Sequence, residues 1–170
     1  AAADFSEELA RVGLGGKVGY IDESGKYVIT PQFEAGMEFS DDLAAVAIAG
    51  KWGYIDKQGT IVINPQFDNV PGKFSEELAA VMLGGQWGFI DKAGKYVINL
   101  QFEGAGNFSN GLARVVVRGK SGYIDKAGTL AISPQFDAAA DFADGLARVE
   151  VGGRIGYIDK TGNYVWTPTE

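Results

Sequence analysis

Short apolar runs alternate with glycine-bearing polar turns along the whole chain, and one stretch shows the plan. Leu43 to Ile48 is apolar, and Ala49-Gly50-Lys51 supplies the flexible residue that a tight reversal needs. Trp52 to Asp56 then reads as the return strand, Asp56-Lys57-Gln58-Gly59 as a second turn, and Thr60 to Asn64, rich in β-branched residues, as a third strand. Pro65 is expected to break or edge that strand, with Gln66-Phe67 beginning a short fourth. Strands this short, with a turn signal every ~8 to 12 residues, predict sheet throughout, and no segment of helical period competes.

The plan occurs five times. Gly-(Tyr/Phe)-Ile-Asp stands at Gly19 to Asp22, Gly53 to Asp56, Gly88 to Asp91, Gly122 to Asp125 and Gly156 to Asp159. A second landmark, Phe5, Phe39, Phe74, Phe108 and Phe142, keeps the same spacing, and each is followed by a polar stretch and a Leu-Ala pair. Two landmarks in register define an all-β unit of roughly 34 residues, repeated over 1–34, 35–69, 70–103, 104–137 and 138–170 as a single repeat domain. One extra residue falls around Asn69 to Lys73, where Pro71-Gly72 marks a loop able to absorb it.

The segment Lys51-Trp52-Gly53-Tyr54-Ile55-Asp56, with Gly59 and Pro65-Gln66-Phe67, resembles the bacterial WG-repeat family, and the resemblance covers all five copies. Only Trp52-Gly53 and Trp87-Gly88 keep the pair that names the family; Val18, Ser121 and Ile155 replace the Trp elsewhere. The resemblance implies a bacterial β-repeat used in binding and scaffolding, with no catalytic residue to carry over.

Small sheets that cannot bury both faces alone stack on their neighbours, as a closed propeller or an open solenoid. Strands apolar on both faces, such as Val115-Val116-Val117, and the absence of a polar capping repeat favour a small five-bladed closed ring; the alternative is an open β-repeat solenoid. Against closure, the fifth copy ends at Thr167-Pro168-Thr169-Glu170 without the Gln-Phe segment found at Pro31-Gln32-Phe33, Pro65-Gln66-Phe67, Leu100-Gln101-Phe102 and Pro134-Gln135-Phe136. A ring requires residues near Ala1 to Phe5 to lie beside Tyr164 to Thr167; an array places them tens of ångströms apart. A ring implies a monomer, an open array self-association.

The recurring Asp22, Asp56, Asp91, Asp125 and Asp159 could suggest metal or acid–base chemistry, but Asp-x-x-Gly is a turn sequence. The Asp accepts hydrogen bonds from its own turn, and Gly25, Gly59, Gly94, Gly128 or Gly162 takes positive φ. Tyr20, Tyr54, Phe89, Tyr123 and Tyr157 read as packing, because Phe89 lacks the hydroxyl. The chain has no His and no Cys, which removes the general base poised near neutrality and any thiolate chemistry, so no enzyme activity, metal or cofactor is expected.

Charge narrows the partners. In a meander, Glu7-Glu8 and their equivalents share one end with the Asp22-type turns, while Lys17, Lys51, Lys120 and Arg154 occupy the other, giving an acidic face and a basic rim. A net charge of −7 argues against nucleic acid, and no apolar run of about 18 residues predicts a membrane span. The expectation is a soluble scaffold, cytoplasmic or exported, that binds a protein or peptide through the loops of one face. Lys17, Lys51, Trp52, Trp87, Lys120 and Arg154 are its candidate ligand-binding residues, and a glycan or small ligand stacking on the Trp residues is the alternative.

Overall fold

The computed structural model describes residues 2–167, and its described elements are all strands, with no helix. Ala2–Ser6 (β1), Leu9–Leu14 (β2), Lys17–Ile21 (β3) and Tyr27–Phe33 (β4) form the first antiparallel sheet in that order. The second contains Ala35–Gly36 (β5), Ala44–Ile48 (β6), Lys51–Ile55 (β7) and Ile61–Phe67 (β8). Ala79–Leu83 (β9), Gln86–Ile90 (β10) and Tyr96–Phe102 (β11) make the third; Gly104–Ser109 (β12), Leu112–Val117 (β13), Lys120–Ile124 (β14) and Leu130–Phe136 (β15) the fourth. Ala138–Ala139 (β16), Leu146–Val151 (β17), Arg154–Asp159 (β18) and Tyr164–Trp166 (β19) complete the fifth.

Only the third sheet lacks an assigned lead-in strand. Its residues from Asp68 to Ser75 still follow β9 through Asp68 N–H to Met82 O (3.1 Å) and Gly72 N–H to Ala80 O (2.8 Å). The additional residue and Pro71, which has no N–H to donate, fall within this stretch.

Two local features differ from the sequence expectation. Pro65 edges its strand, one of the two outcomes expected of it, but does not end it, and Gln66-Phe67 is no separate fourth strand because β8 runs through all three: Trp52 pairs with Phe67 and Tyr54 with Ile63, so Asn64, Pro65 and Gln66 stand opposite the single residue Gly53. This bulge lies on an edge strand, where proline is tolerated. It also folds the backbone onto the glycine. At Gly122 an added Cβ would sit 2.6 Å from Ile132 O and 2.7 Å from Pro134 N, and Gly19, Gly53 and Gly88 are equally crowded by backbone. The second difference is at the acidic pairs, which form tight reversals instead of merely preceding a strand. Glu7 and Glu8 have φ of 50° and 71°, Asp41 and Asp42 50° and 68°, as in the type I′ turns that suit β-hairpins.

Each sheet packs on the next through one repeated joint. Tyr20 meets Phe39 edge-on with ring centroids 5.0 Å apart, and Tyr54–Phe74 (4.8 Å), Phe89–Phe108 (5.0 Å) and Tyr123–Phe142 (4.7 Å) repeat the contact. Beside it, a serine hydroxyl of one sheet donates to the phenylalanine carbonyl of the next: Ser6 to Phe39, Ser40 to Phe74, Ser75 to Phe108 and Ser109 to Phe142, at 2.6–2.8 Å. Four apolar clusters, one per joint, make up the core.

Among the described residues, the Tyr–Phe contact that a closed ring requires between the fifth and first sheets is not formed. Phe5 is 50% exposed and Tyr157 41%, where their counterparts in the four joints are buried to 2% or less. Tyr157 turns instead toward Trp166 of its own sheet, with centroids 6.3 Å apart. Ala1 lies outside the described residues, and Tyr164, expected to be covered in a ring, is 41% exposed.

Candidate functional site

The site is built from the turns inward. In every copy the Asp of Tyr-Ile-Asp or Phe-Ile-Asp uses one carboxylate oxygen to accept two backbone N–H groups of its own turn, as Asp56 does from Gln58 (3.0 Å) and Thr60 (2.8 Å). The following glycines hold φ of 80–85°. The hydrogen bond from the Ser24 hydroxyl holds the Asp22 carboxyl below its ordinary range, and that from Thr161 does the same for Asp159. These carboxylates are committed to local structure.

A second set of acids was not evident in the sequence. Glu34, Asp68, Glu103 and Asp137, each directly after the Gln-Phe segment, accept N–H groups from the hairpin turn of the next sheet. Glu34, for example, takes Ala49 N–H at 3.0 Å and Gly50 N–H at 2.9 Å. The repeated acidic position after each Phe was the available signal. The candidate cations of the rim stand beside these acids: Lys51 pairs with Asp68, Lys120 with Asp137, and the Lys17 charge acts on Glu34. The lysine hydrogen bond is the main reason that the Asp68 and Asp137 carboxyls lie below the ordinary range.

The structure therefore spreads the candidate ligand-binding residues over separate sheets. Trp52 packs half-buried on the core between the second and third sheets, and Trp87 on the next one. Arg154 is exposed on the fifth sheet. An open depression at Val117, Leu130 and Pro134 includes Lys120 alone of the set.

At the other end of the sheets the acidic turns are linked. Asp42 N–H donates to Glu7 (3.0 Å), Glu77 N–H to Asp41 (3.1 Å) and Gly145 N–H to Asn110 (2.7 Å), while Lys57 lies 3.3 Å from Glu7 and 3.1 Å from Asp42. The Asp56-type turn and the acidic turns thus share one end, as the meander required.

A further concavity lies where the lead-in segments of four sheets converge. A cavity of about 350 Å³ is lined from Ser6 of the first sheet, Met37 to Ser40, Leu43 and Ala45 of the second, Pro71 to Lys73 of the third and Asn107 of the fourth. Buried tyrosines fasten its walls, Tyr20 donating to Met37 O (2.7 Å) and Tyr54 to Gly72 O (2.7 Å), and Tyr123 makes the same bond to Ala140 O (2.6 Å) at the fourth joint. Burial pushes all three hydroxyls well above the ordinary phenol value, so they remain protonated donors. The hydroxyl that Phe89 lacks is therefore used at three joints.

Residues 19–52, 52–87, 87–120 and 122–154 match the WG containing repeat family. No curated protein matches the chain. Among solved structures it is similar to Kluyveromyces lactis Hsv2 with loop 6CD replaced by a Gly-Ser linker, at 12% identity and a TM-score of 0.64, covering 95% of this chain and 63% of that one. It is also similar to a eukaryotic initiation factor (14%, TM-score 0.58, 91% and 50% coverage). Porphyromonas gingivalis PorZ, a bacterial surface component of the type-IX secretion system, matches 97% of the chain with 26% of its own length (13%, TM-score 0.52). The chain thus spans under two thirds of the length of these structures, and the likeness is one of fold. Hsv2 is a propeller of seven blades. The chain belongs to the WG containing repeat family, its five units set side by side as propeller-like blades.

Proposed function

We propose that the chain is a non-enzymatic scaffold that holds a protein or peptide partner at the axial end of its blades. The observation that supports this reading is the axial cavity, which opens where loops of four sheets meet and is walled by both apolar and polar side chains. The Asp-x-x-Gly carboxylates, Lys51 and Lys120 are engaged in structural hydrogen bonds and ion pairs. A sugar platform on Trp52 and Trp87 is disfavoured by their packing against two different cores. Screening a displayed random-peptide library against the immobilised chain tests the reading. Enrichment of a related peptide family, with binding reproduced in solution, is the expected result; no enrichment above a denatured control removes it.

A second reading, head-to-tail association of copies, is favoured by the two uncovered faces. Tyr157 and Phe5 repeat the pair made inside each joint, and Arg148 and Asp4 occupy the positions of Arg11 and Glu38, which approach to 3.5 Å in the first joint. Light scattering over a concentration series should show growth of the 170-residue chain that Tyr157→Ala reduces, and a strict monomer at high concentration eliminates this reading.

A further inference from the structure

The four joints share their aromatic contact but differ in the layer nearest the axis. In the first joint Arg11 fills this layer, its Nη1 donating to Gly36 O at 2.8 Å and its Nη2 lying 3.5 Å from Glu38. In the fourth, Arg114 and Asp141 take the same two positions, and their charges act in opposite directions on the Tyr123 hydroxyl. In the second joint the positions hold Ala45 and Lys73. Alanine removes the side chain that would fill the layer, and lysine reverses the charge that would receive it. The cavity lies at this substitution.

Its polar groups are unequally engaged. Glu38, the one carboxylate in the lining, already faces Arg11. The Ser6 and Ser40 hydroxyls donate to main-chain carbonyls. Lys73 and the Asn107 amide have no ion pair or hydrogen bond among the described residues. What remains is one unpaired ammonium and one unpaired amide donor beside an apolar wall of Met37, Ala45 and Pro71. A carboxylate on an apolar body satisfies both halves, since it accepts from the ammonium and the amide while its body covers the wall.

We propose that this cavity receives the C-terminal residue of a peptide partner, with the α-carboxylate at Lys73 and Asn107 and an apolar side chain against Met37, Ala45 and Pro71. This rests on the scaffold reading for the source of the carboxylate. The cavity is larger than one apolar side chain, which leaves room for the terminal carboxylate and the residue before it.

The test uses fluorescence anisotropy with labelled hexapeptides ending in Leu or Phe, each with a free or an amidated C-terminus, and 3-phenylpropanoate as a competing free acid. Free-carboxylate peptides should bind at least tenfold more tightly than their amides. Lys73→Glu should abolish binding and Lys73→Arg retain it, without a change in melting temperature, because Lys73 is exposed. Ala45→Arg, which restores the side chain found at position 11, should fill the cavity and block binding. Equal affinity of free and amidated peptides, or full binding by Lys73→Glu, overturns the proposal. Competition by 3-phenylpropanoate at the affinity of the peptide itself overturns the assignment to a peptide terminus. Library-selected peptides that still bind folded Ala45→Arg and Lys73→Glu would keep the scaffold reading and remove this one.

Discussion

Within each joint two layers lie side by side, and only one of them is repeated. The aromatic lock of Tyr20–Phe39 returns with centroid distances of 4.7–5.0 Å through all four joints, with the serine hydrogen bond beside it. The axial layer next to it reads Arg–Glu, Ala–Lys, Ala–Asn and Arg–Asp in succession. The lock is buried and must fit a fixed space, so one solution recurs. The axial layer borders open space, so its residues can change without unstitching the sheets. Chemistry that distinguishes one joint from another is therefore concentrated in the layer that varies.

Breaking the lock should have the largest effect. Tyr54→Ala removes a buried ring and the hydrogen bond to Gly72 O, and should cost about 3–5 kcal/mol in urea unfolding. Tyr157→Ala removes the same residue type where it is 41% exposed, and should cost about 1 kcal/mol or less in the monomer. Equal losses at the two positions would contradict the picture of an unsealed fifth face. Gly122→Ala comes next: its Cβ meets main chain at Ile132 and Pro134, which cannot step aside as a flexible side chain can, so about 1–3 kcal/mol of stability should be lost.

Smaller effects test the bonds around the lock. Ser40→Ala deletes a donor to Phe74 O and should cost about 1 kcal/mol, also by urea unfolding. The smallest effect concerns acid. The Asp68 and Asp137 carboxyls lie below their ordinary range in the folded chain, so the unfolded chain binds more protons there as pH falls. Their contribution is complete above the ordinary carboxylate range and declines as pH drops through the folded-state values. Asp68→Asn should flatten the loss of melting temperature below about pH 4 and leave the curve near pH 7 parallel to that of the parent.

The sequence made the repeat, its two central strands and the Asp-x-x-Gly turn legible, because each has a strong local signal: a turn residue, a β-branched run or a fixed spacing. The lead-in strand was harder to see. Its reversal is marked plainly only at Asn110-Gly111 and Asp144-Gly145, sequences typical of type I′ turns, whereas Glu7-Glu8 and Asp41-Asp42 adopt the same positive φ without the usual residues. Pro65 reads as breaking or edging a strand when every residue is assumed to pair, and the bulge over Gly53 on an edge strand lets the strand continue through it. The glycine of the Trp-Gly pair, present in all five copies, signalled this close approach, while Val18, Ser121 and Ile155 show that the neighbouring Trp can be exchanged. The cavity could not be found from any one copy, because its lining is drawn from four sheets, with Ala45 of one facing Lys73 of the next.

The serine and turn-acid hydrogen bonds that cross between sheets join residues 33–36 apart in the chain. No described joint waits for a distant part of the polypeptide. A nascent chain can therefore seal each joint as soon as the next unit has emerged, and the row of sheets can form from any starting sheet. Under tension the same arrangement acts as a row of separate fasteners, each yielding about one unit of slack while the Tyr–Phe locks beyond it stay closed.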